Sequence, residues 1–244
     1  MNRAISWISI AVVITGSSCA ILMGAGFWAS KETSRRLDIG YRESTSSKPV
    51  QLEIGDRVFA IPNNHIWSRE SWKGGKVSSV NLHALLPDFE AYTQANQHEF
   101  DKPGWNRKVT LLLIEHNVPE SRTGSASMTR RAVYNRMLYD DASQKERIDH
   151  EAQAPFGLTL HALSPPIPSG KELYSGFKKD GGFYWVRCGR EEKYPYPSCT
   201  TYIEFSEKTS IKYRFSRKLL SDWESIDNSV LNFVRQFVVT PKQG

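Results

Sequence analysis

The chain has 244 residues, 39% hydrophobic, 11% aromatic and 24% charged, with a formal net charge of +6 and an isoelectric point near 9.2. That mixture is ordinary for a folded polypeptide and excludes a wholly disordered, collagen-like or low-complexity one; the length suffices for one sizeable core. The positive balance favours acidic or polyanionic partners, but cations are interleaved with carboxylates along the chain. Neither helix-turn-helix punctuation nor an RNA-recognition signature occurs, so no nucleic-acid partner is expected.

From Ala4 to Ala29 no residue is charged; Arg3 precedes the run and Lys31, Arg35 and Arg36 follow it. About 20 helical residues cross a bilayer core, so residues 1–30 read as one N-terminal transmembrane anchor, with residues 4–29 crossing the bilayer. A cleaved signal would have a shorter apolar region ending in small residues, and Gly16-Ser17-Ser18-Cys19 resembles such an end. Apolar sequence resumes through Ile21, Leu22, Met23, Phe27 and Trp28, which favours an uncleaved anchor. Cys19 lacks the leucine three positions earlier that lipoprotein signals carry, since Gly16 stands there, and reads as a small residue of the helix. Charge counted around the span points against export of the C-terminal part, although large domains are translocated largely regardless of such counts.

Residues 31–49 are polar and read as a linker, leaving 50–244 as a single domain. Val50-Gln51-Leu52-Glu53-Ile54 alternates at period two, Gly55-Asp56 turns, and Arg57 to Pro62 returns, which predicts a hairpin. Lys76 to Leu85 predicts a strand with an irregularity, ended by Pro87. Val109 to Ile114, apolar at most positions, predicts a strand buried on both faces. Ser127 to Asp140 predicts a helix capped by Ser127 or Thr129, with Arg130, Arg131 and Arg136 on a solvated surface, the alternative being a lipid- or acid-binding face. Leu158 to Leu163, Glu172 to Phe177, Phe183 to Cys188, Cys199 to Phe205 and Ile211 to Phe215 predict antiparallel strands joined by short turns. In the last segment Leu219, Leu220, Trp223, Ile226, Val230, Phe233, Val234 and Phe237 recur at helical spacing. Asp222, Glu224, Asp227 and Asn228 are assigned to the outer side, and Ser221 with Glu224 resembles a capping box. The expected fold class is α+β: a mainly antiparallel sheet with a C-terminal amphipathic helix packed on it.

Cys188 and Cys199 flank a polar loop between two aromatic, β-branched strands. Facing positions of antiparallel strands stand about 4.5 to 5.5 Å apart, which suits a disulfide, and closing so short a loop contributes about 3 kcal/mol. No metal site is expected, because none of the histidines 65, 83, 98, 116, 150 and 161 is close to the pair in sequence. The spacing also lacks the Cys-x-x-Cys of a redox catalyst. A disulfide implies an oxidising compartment, and with the anchor it places the C-terminal domain outside the cytoplasmic membrane.

Signals for catalysis are weak, and no catalytic residue or cofactor is assigned. Ser175-Gly176-Phe177-Lys178 matches Ser-x-x-Lys and Lys208-Thr209-Ser210 matches a third motif of penicillin-interacting enzymes, but the intervening element is missing and Ser175 falls in a predicted hairpin. The adjacent carboxylates Asp140-Asp141 and Glu191-Glu192 point in different directions on any regular element. Tyr194, Pro195, Tyr196 and Pro197, rigid and aromatic within the stapled loop, are the candidate protein-contact residues. The alternative is that the tyrosines pack on their own hairpin.

The N-terminal anchor, the polar linker, Arg57-Val58-Phe59-Ala60-Ile61-Pro62-Asn63-Asn64-His65-Ile66 and the closing stretch from Leu219 to Phe237 together resemble uncharacterised single-pass inner-membrane proteins of Gram-negative bacteria. Some of these serve as immunity partners of toxins delivered by contact-dependent secretion. The resemblance implies a tethered periplasmic domain that binds another protein in a toxin-neutralising role. An envelope hydrolase with a dispersed site and a structural subunit of an envelope complex are the alternatives.

Overall fold

The computed structural model describes residues 43–115, 130–140, 145–164, 166–167 and 170–239. The expected anchor, most of the linker, His116 and the expected cap residues Ser127 and Thr129 lie outside them. No helix among the described residues is long and apolar enough to cross a membrane.

The first hairpin forms as its alternation dictates. Strands β1 (Pro49–Ile54) and β2 (Arg57–Pro62) pair antiparallel, with Leu52, Ile54, Phe59 and Ile61 buried on one face. Gly55 at the turn has φ 61°, and a Cβ there would stand 2.4 Å from the carbonyl oxygen of Lys208, so both conformation and space demand glycine. Residues 43–48, expected as linker, are already docked: Lys48 and Ser46 carbonyls accept from the amides of Asn63 (3.1 Å) and Asn64 (2.9 Å).

The strand expected at 76–85 divides in two. β3 (Gly75–Lys76) joins β1 in parallel, and β4 (Ser79–Leu85) opens the main sheet. Between β4 and β5 (Lys108–Glu115) the chain makes an excursion through a cis Leu86–Pro87 bond and the short helix α1 (Gln97–Asp101). Helix α2 (Arg130–Leu138) follows, then a small ribbon of β6 (Tyr139–Asp140) and β7 (Lys145–Glu146). The remaining strands are β8 (Ile148–Gln153), β9 (Thr159–Leu163), β10 (Lys171–Phe177), β11 (Phe183–Gly189), β12 (Ser198–Glu204) and β13 (Thr209–Ser216). The eight-stranded sheet has the order β4-β5-β13-β12-β11-β10-β9-β8, with every pair antiparallel. β8, polar and exposed from Asp149 onward, carries no alternation that sequence could show; it forms because β9 offers it an edge. β5 is fully buried on one face only, since Leu112 and Ile114 are half-buried. This corrects the expectation of a strand enclosed on both sides.

The C-terminal helix α3 (Trp223–Arg235) lies on one sheet face as expected, burying Trp223, Ile226, Val230, Phe233 and Val234. The main core sits between it, the first hairpin and that face. Beyond α3 the chain is tied to β2 by Ala60 N to Phe237 O (2.7 Å) and Val239 N to Val58 O (2.8 Å). The expected capping box does not form, because a 3-10 turn over Arg217–Asp222 precedes the helix. Glu224 instead accepts from the Lys179 amide at 2.7 Å and anchors the β10–β11 turn. On the opposite sheet face a second core unites Tyr134 and Leu138 of α2 with Leu173, Ile167 and Trp185. The architecture is therefore α+β, mainly antiparallel, with the C-terminal helix packed on the sheet.

Candidate functional site

Cys188 and Cys199 face each other on β11 and β12 and form a disulfide, with a Cα separation of 4.0 Å and both residues fully buried. The loop it closes is held at its base by Arg217. That guanidinium lies 2.5 Å from Glu172 and donates to the carbonyl of Gly189 (2.8 Å) and to the Tyr174 hydroxyl (3.0 Å). Burial, then the hydrogen bond to Glu172, pushes the Tyr174 hydroxyl up to about 12, so it remains a donor. The loop's own tyrosines diverge. Tyr194 is half-buried, and a Cβ on Gly189 would lie 3.0 Å from its ring, so it packs on its own hairpin. Tyr196 is 54% exposed, and its ring lies across Gly104, where a Cβ would come within 2.7 Å. Pro195 is exposed and Pro197 half-buried, with its carbonyl accepting from the Arg217 amide at 3.0 Å.

Of two residues assigned from sequence to solvated surfaces, Asp227 is buried and Arg130 half-buried. The ladder between β11 and β12 runs only through Arg187–Thr200 and Cys188–Cys199. Towards Phe183 and Glu204 the pairing gives way to the Arg130 side chain. It donates to the carbonyls of Tyr202 and Phe183 and makes a two-pronged contact with Asp227 of α3. Asp227 is 1% exposed and also takes Lys178 Nζ at 2.7 Å and the Tyr213 hydroxyl at 2.7 Å. Burial raises its carboxyl pKa, but the Arg130 charge and the hydrogen bonds from Arg130, Lys178 and Tyr213 outweigh that and hold it below the usual carboxylate range. Arg130 thus ties helices on opposite faces together between two strands, a structural role. Lys178, committed to Asp227 and to Asn228 (2.8 Å), takes no part in a Ser-x-x-Lys arrangement.

Ser175 instead meets histidine. Its Oγ lies 2.8 Å from His161 Nε2, and His161 Nδ1 lies 2.8 Å from Glu151 Oε1. The Tyr134 hydroxyl is 3.1 Å from the same Nε2. These groups line an open cavity of about 460 Å³ under α2. Burial draws the His161 pKa down, partly offset by Glu151, so the neutral ring can accept from a hydroxyl through Nε2. The distances are those of a nucleophile, base and orienting acid, although His161 Nδ1 makes no aligned hydrogen bond to the Glu151 carboxylate. Yet Ser175 sits mid-strand, paired to Thr159 on one side and Trp185 on the other. Its neighbouring amides belong to ladders, which leaves no adjacent backbone pair to stabilise an oxyanion. Thr209, of the other weak motif, donates to the Ile54 carbonyl (3.0 Å) and to Asp56 (3.2 Å) and fastens the first hairpin. Among the described residues no group of three or more His, Cys, Asp or Glu could hold a metal ion.

The sheet face opposite α3 gathers cations that the sequence spreads out. Arg187, Thr200, Arg214, Thr110 and His83 form one row across five strands. They alternate with core residues such as Cys188, Cys199, Tyr213 and Val109, so their side chains project from the other side. Lys212 and Lys171 stand on the same face, on β13 and β10. All four cations are half-buried. None has a carboxylate at ion-pairing distance among the described residues, whereas Arg107, Arg130, Lys178 and Arg217 are each paired. Arg187 Nε is buried without a hydrogen-bond partner. Lys171 is drawn below its ordinary value by burial and then by Arg187, Arg214 and Lys212, which marks the four as one electrostatic cluster. Aromatic rings flank it: Arg214 lies 5.0 Å from the Trp105 centroid and Lys212 5.8 Å from that of Tyr202.

In comparisons with known proteins, no protein-family model and no curated protein matches the chain. Among solved structures it is similar in fold to an immunity protein of the Stenotrophomonas maltophilia type IV secretion system. That match has a TM-score of 0.57 and 15% identity, covering 80% of this chain and 95% of the other. The iron-regulated outer membrane lipoprotein FrpD of Neisseria meningitidis also matches, at a TM-score of 0.39 and 10% identity over 82% of this chain and 96% of that one.

Proposed function

We propose that the chain is a membrane-tethered periplasmic domain that binds another protein in an immunity-type, toxin-neutralising role. Residues 4–29 would hold it to the inner membrane and the disulfide would belong to the oxidising side. The observation that carries protein binding is the stapled loop. Tyr196 and Pro195 are presented to solvent on a segment already fixed by the disulfide, by Arg217 and by the seat on Gly104, so little entropy remains to be lost on contact. The fold shared with an immunity protein over nearly all of that protein's length supports the same reading. The test is pull-down of the full chain from envelope extracts together with survival of cells challenged by the captured protein. A stoichiometric partner that is toxic alone, harmless with the chain and released by Tyr196→Ala is expected. Capture and protection unchanged by Tyr196→Ala would remove the loop from the account.

A hydrolase reading has one observation in its favour, the Ser175–His161–Glu151 relay beside an open cavity. Labelling of Ser175 by a fluorophosphonate probe would support it.

A further inference from the structure

We propose that the sheet face bearing Lys171, Arg187, Lys212 and Arg214 is a docking surface for an acidic surface of the protein partner. This inference rests on the protein-binding reading and adds to it the place and the charge of the contact.

Three features carry it. Arg107, Lys178 and Arg217, also half-buried, find carboxylates, so four cations without one, grouped on one face, form an unmet electrostatic demand. Arg187 Nε is buried without an acceptor, and no carboxylate of the described residues neutralises its guanidinium. The cluster is also shaped. A cavity of about 250 Å³ between α2 and the sheet, lined by Arg187, Trp185 and Tyr202 among others, opens beside it. Arg187 and Arg214 are two strands apart, about 10 Å, and Arg214 and Lys212 are two residues apart along one strand, about 7 Å. Arg187 and Arg214 stand among half-buried aromatic and aliphatic side chains, Trp105, Tyr202, Leu112 and Ile114, and arginine and aromatic residues are the types enriched at protein interfaces. A lipid-headgroup surface favours projecting, strongly hydrated lysines, whereas these cations are sunk among apolar neighbours. The face is also continuous with the stapled loop: Tyr196 rests on Gly104, and the adjacent Trp105 covers Arg214. One partner could therefore engage both.

The test uses the full chain in nanodiscs of zwitterionic lipid, with poly-L-glutamate as the acidic polypeptide probe and phosphatidylglycerol vesicles as the lipid probe. Saturable binding of poly-L-glutamate is expected, weakening as added salt shortens the screening length. Lys212→Glu with Arg214→Glu should weaken it about tenfold or more, each reversal turning an attraction into a repulsion. Lys73→Glu, at an exposed lysine on the turn beside β1, should leave it unchanged. Equal binding by the double variant, or vesicles bound more tightly than poly-L-glutamate, would overturn the proposal. Failure of the broader reading looks different. A native partner still captured at full affinity by the double variant removes this face and leaves protein binding standing, whereas wild-type chain that captures no protein removes the binding reading itself.

Discussion

Asp227→Ala should be among the most damaging single substitutions in the domain. It leaves Arg130, whose side chain is 11% exposed, and Lys178, 10% exposed, without their buried counter-charge. Lys178 keeps Asn228 as an acceptor, and Arg130 keeps the carbonyls of Tyr202 and Phe183 and the Tyr184 ring, 5.3 Å from its guanidinium, but no counter-charge. Removing one partner of a buried pair costs about 3 to 5 kcal/mol, against a total stability of about 5 to 15 kcal/mol. For a domain of this size that lowers the melting temperature by roughly 10 °C. Replacing both residues by apolar ones of similar volume, Arg130→Met with Asp227→Leu, removes the unpaired guanidinium, leaves Lys178 on Asn228 alone and should recover part of the loss. Urea titration followed by tryptophan fluorescence measures both variants. The sign with pH is also fixed: a carboxyl whose folded pKa is depressed contributes stability above its ordinary value of 3.8, lost as pH falls through the folded value. A cost below about 1 kcal/mol for Asp227→Ala, or a double variant as unstable as the single, would refute a tie between the helices made by these charges.

Reducing the disulfide, or replacing Cys188 and Cys199 by serine, should cost about 3 kcal/mol and be read as a lower urea midpoint with little change in slope. His83, 2% exposed and lying between the Trp67 and Tyr92 rings, is drawn down to about 4 by burial first and then by His65. The unfolded chain therefore binds a proton that the folded one refuses, and stability should fall between pH 6.5 and about 4, by about 3 kcal/mol in all. His83→Phe should flatten that part of the pH profile. Ser175→Ala removes a hydroxyl shared by His161 and Tyr134; it should cost about 1 kcal/mol in denaturant titration and leave partner capture intact, if the relay is structural.

Much of this architecture was legible because it depends on period. The alternation at Val50–Ile54 and the stripe from Trp223 to Phe237 are local statements about which face is apolar, and burial followed them. The stapled hairpin was legible for the same reason, since two strands and a short loop bring the cysteines opposite each other. Asp227 was misassigned because polarity was allowed to outvote geometry. It lies four residues after Trp223 and three before Val230, so helical spacing alone places it within the buried stripe. Arg130 was hidden differently: its burial depends on β11 and β12 parting beyond Arg187 and Thr200, which no local pattern reveals. The grouping of Ser175, His161 and Glu151 needs the register of three strands, Glu151 opposite His161 and His161 opposite Leu173. The cationic face likewise needs the order in which five strands are laid side by side. In sequence its members are separated by carboxylates, of which Glu172, Glu192 and Glu204 are engaged elsewhere.

The central claim, that this is a protein-contact domain acting on the oxidising side of a membrane, is tested most directly by photo-crosslinking in producing cells. A photoreactive side chain would stand at position 196 of the stapled loop. The account predicts a single stoichiometric protein adduct, formed only while Cys188 and Cys199 are joined and absent from the variant with Lys212→Glu and Arg214→Glu. No protein adduct from position 196, or one formed equally well with both thiols free in the cytoplasm, would contradict it.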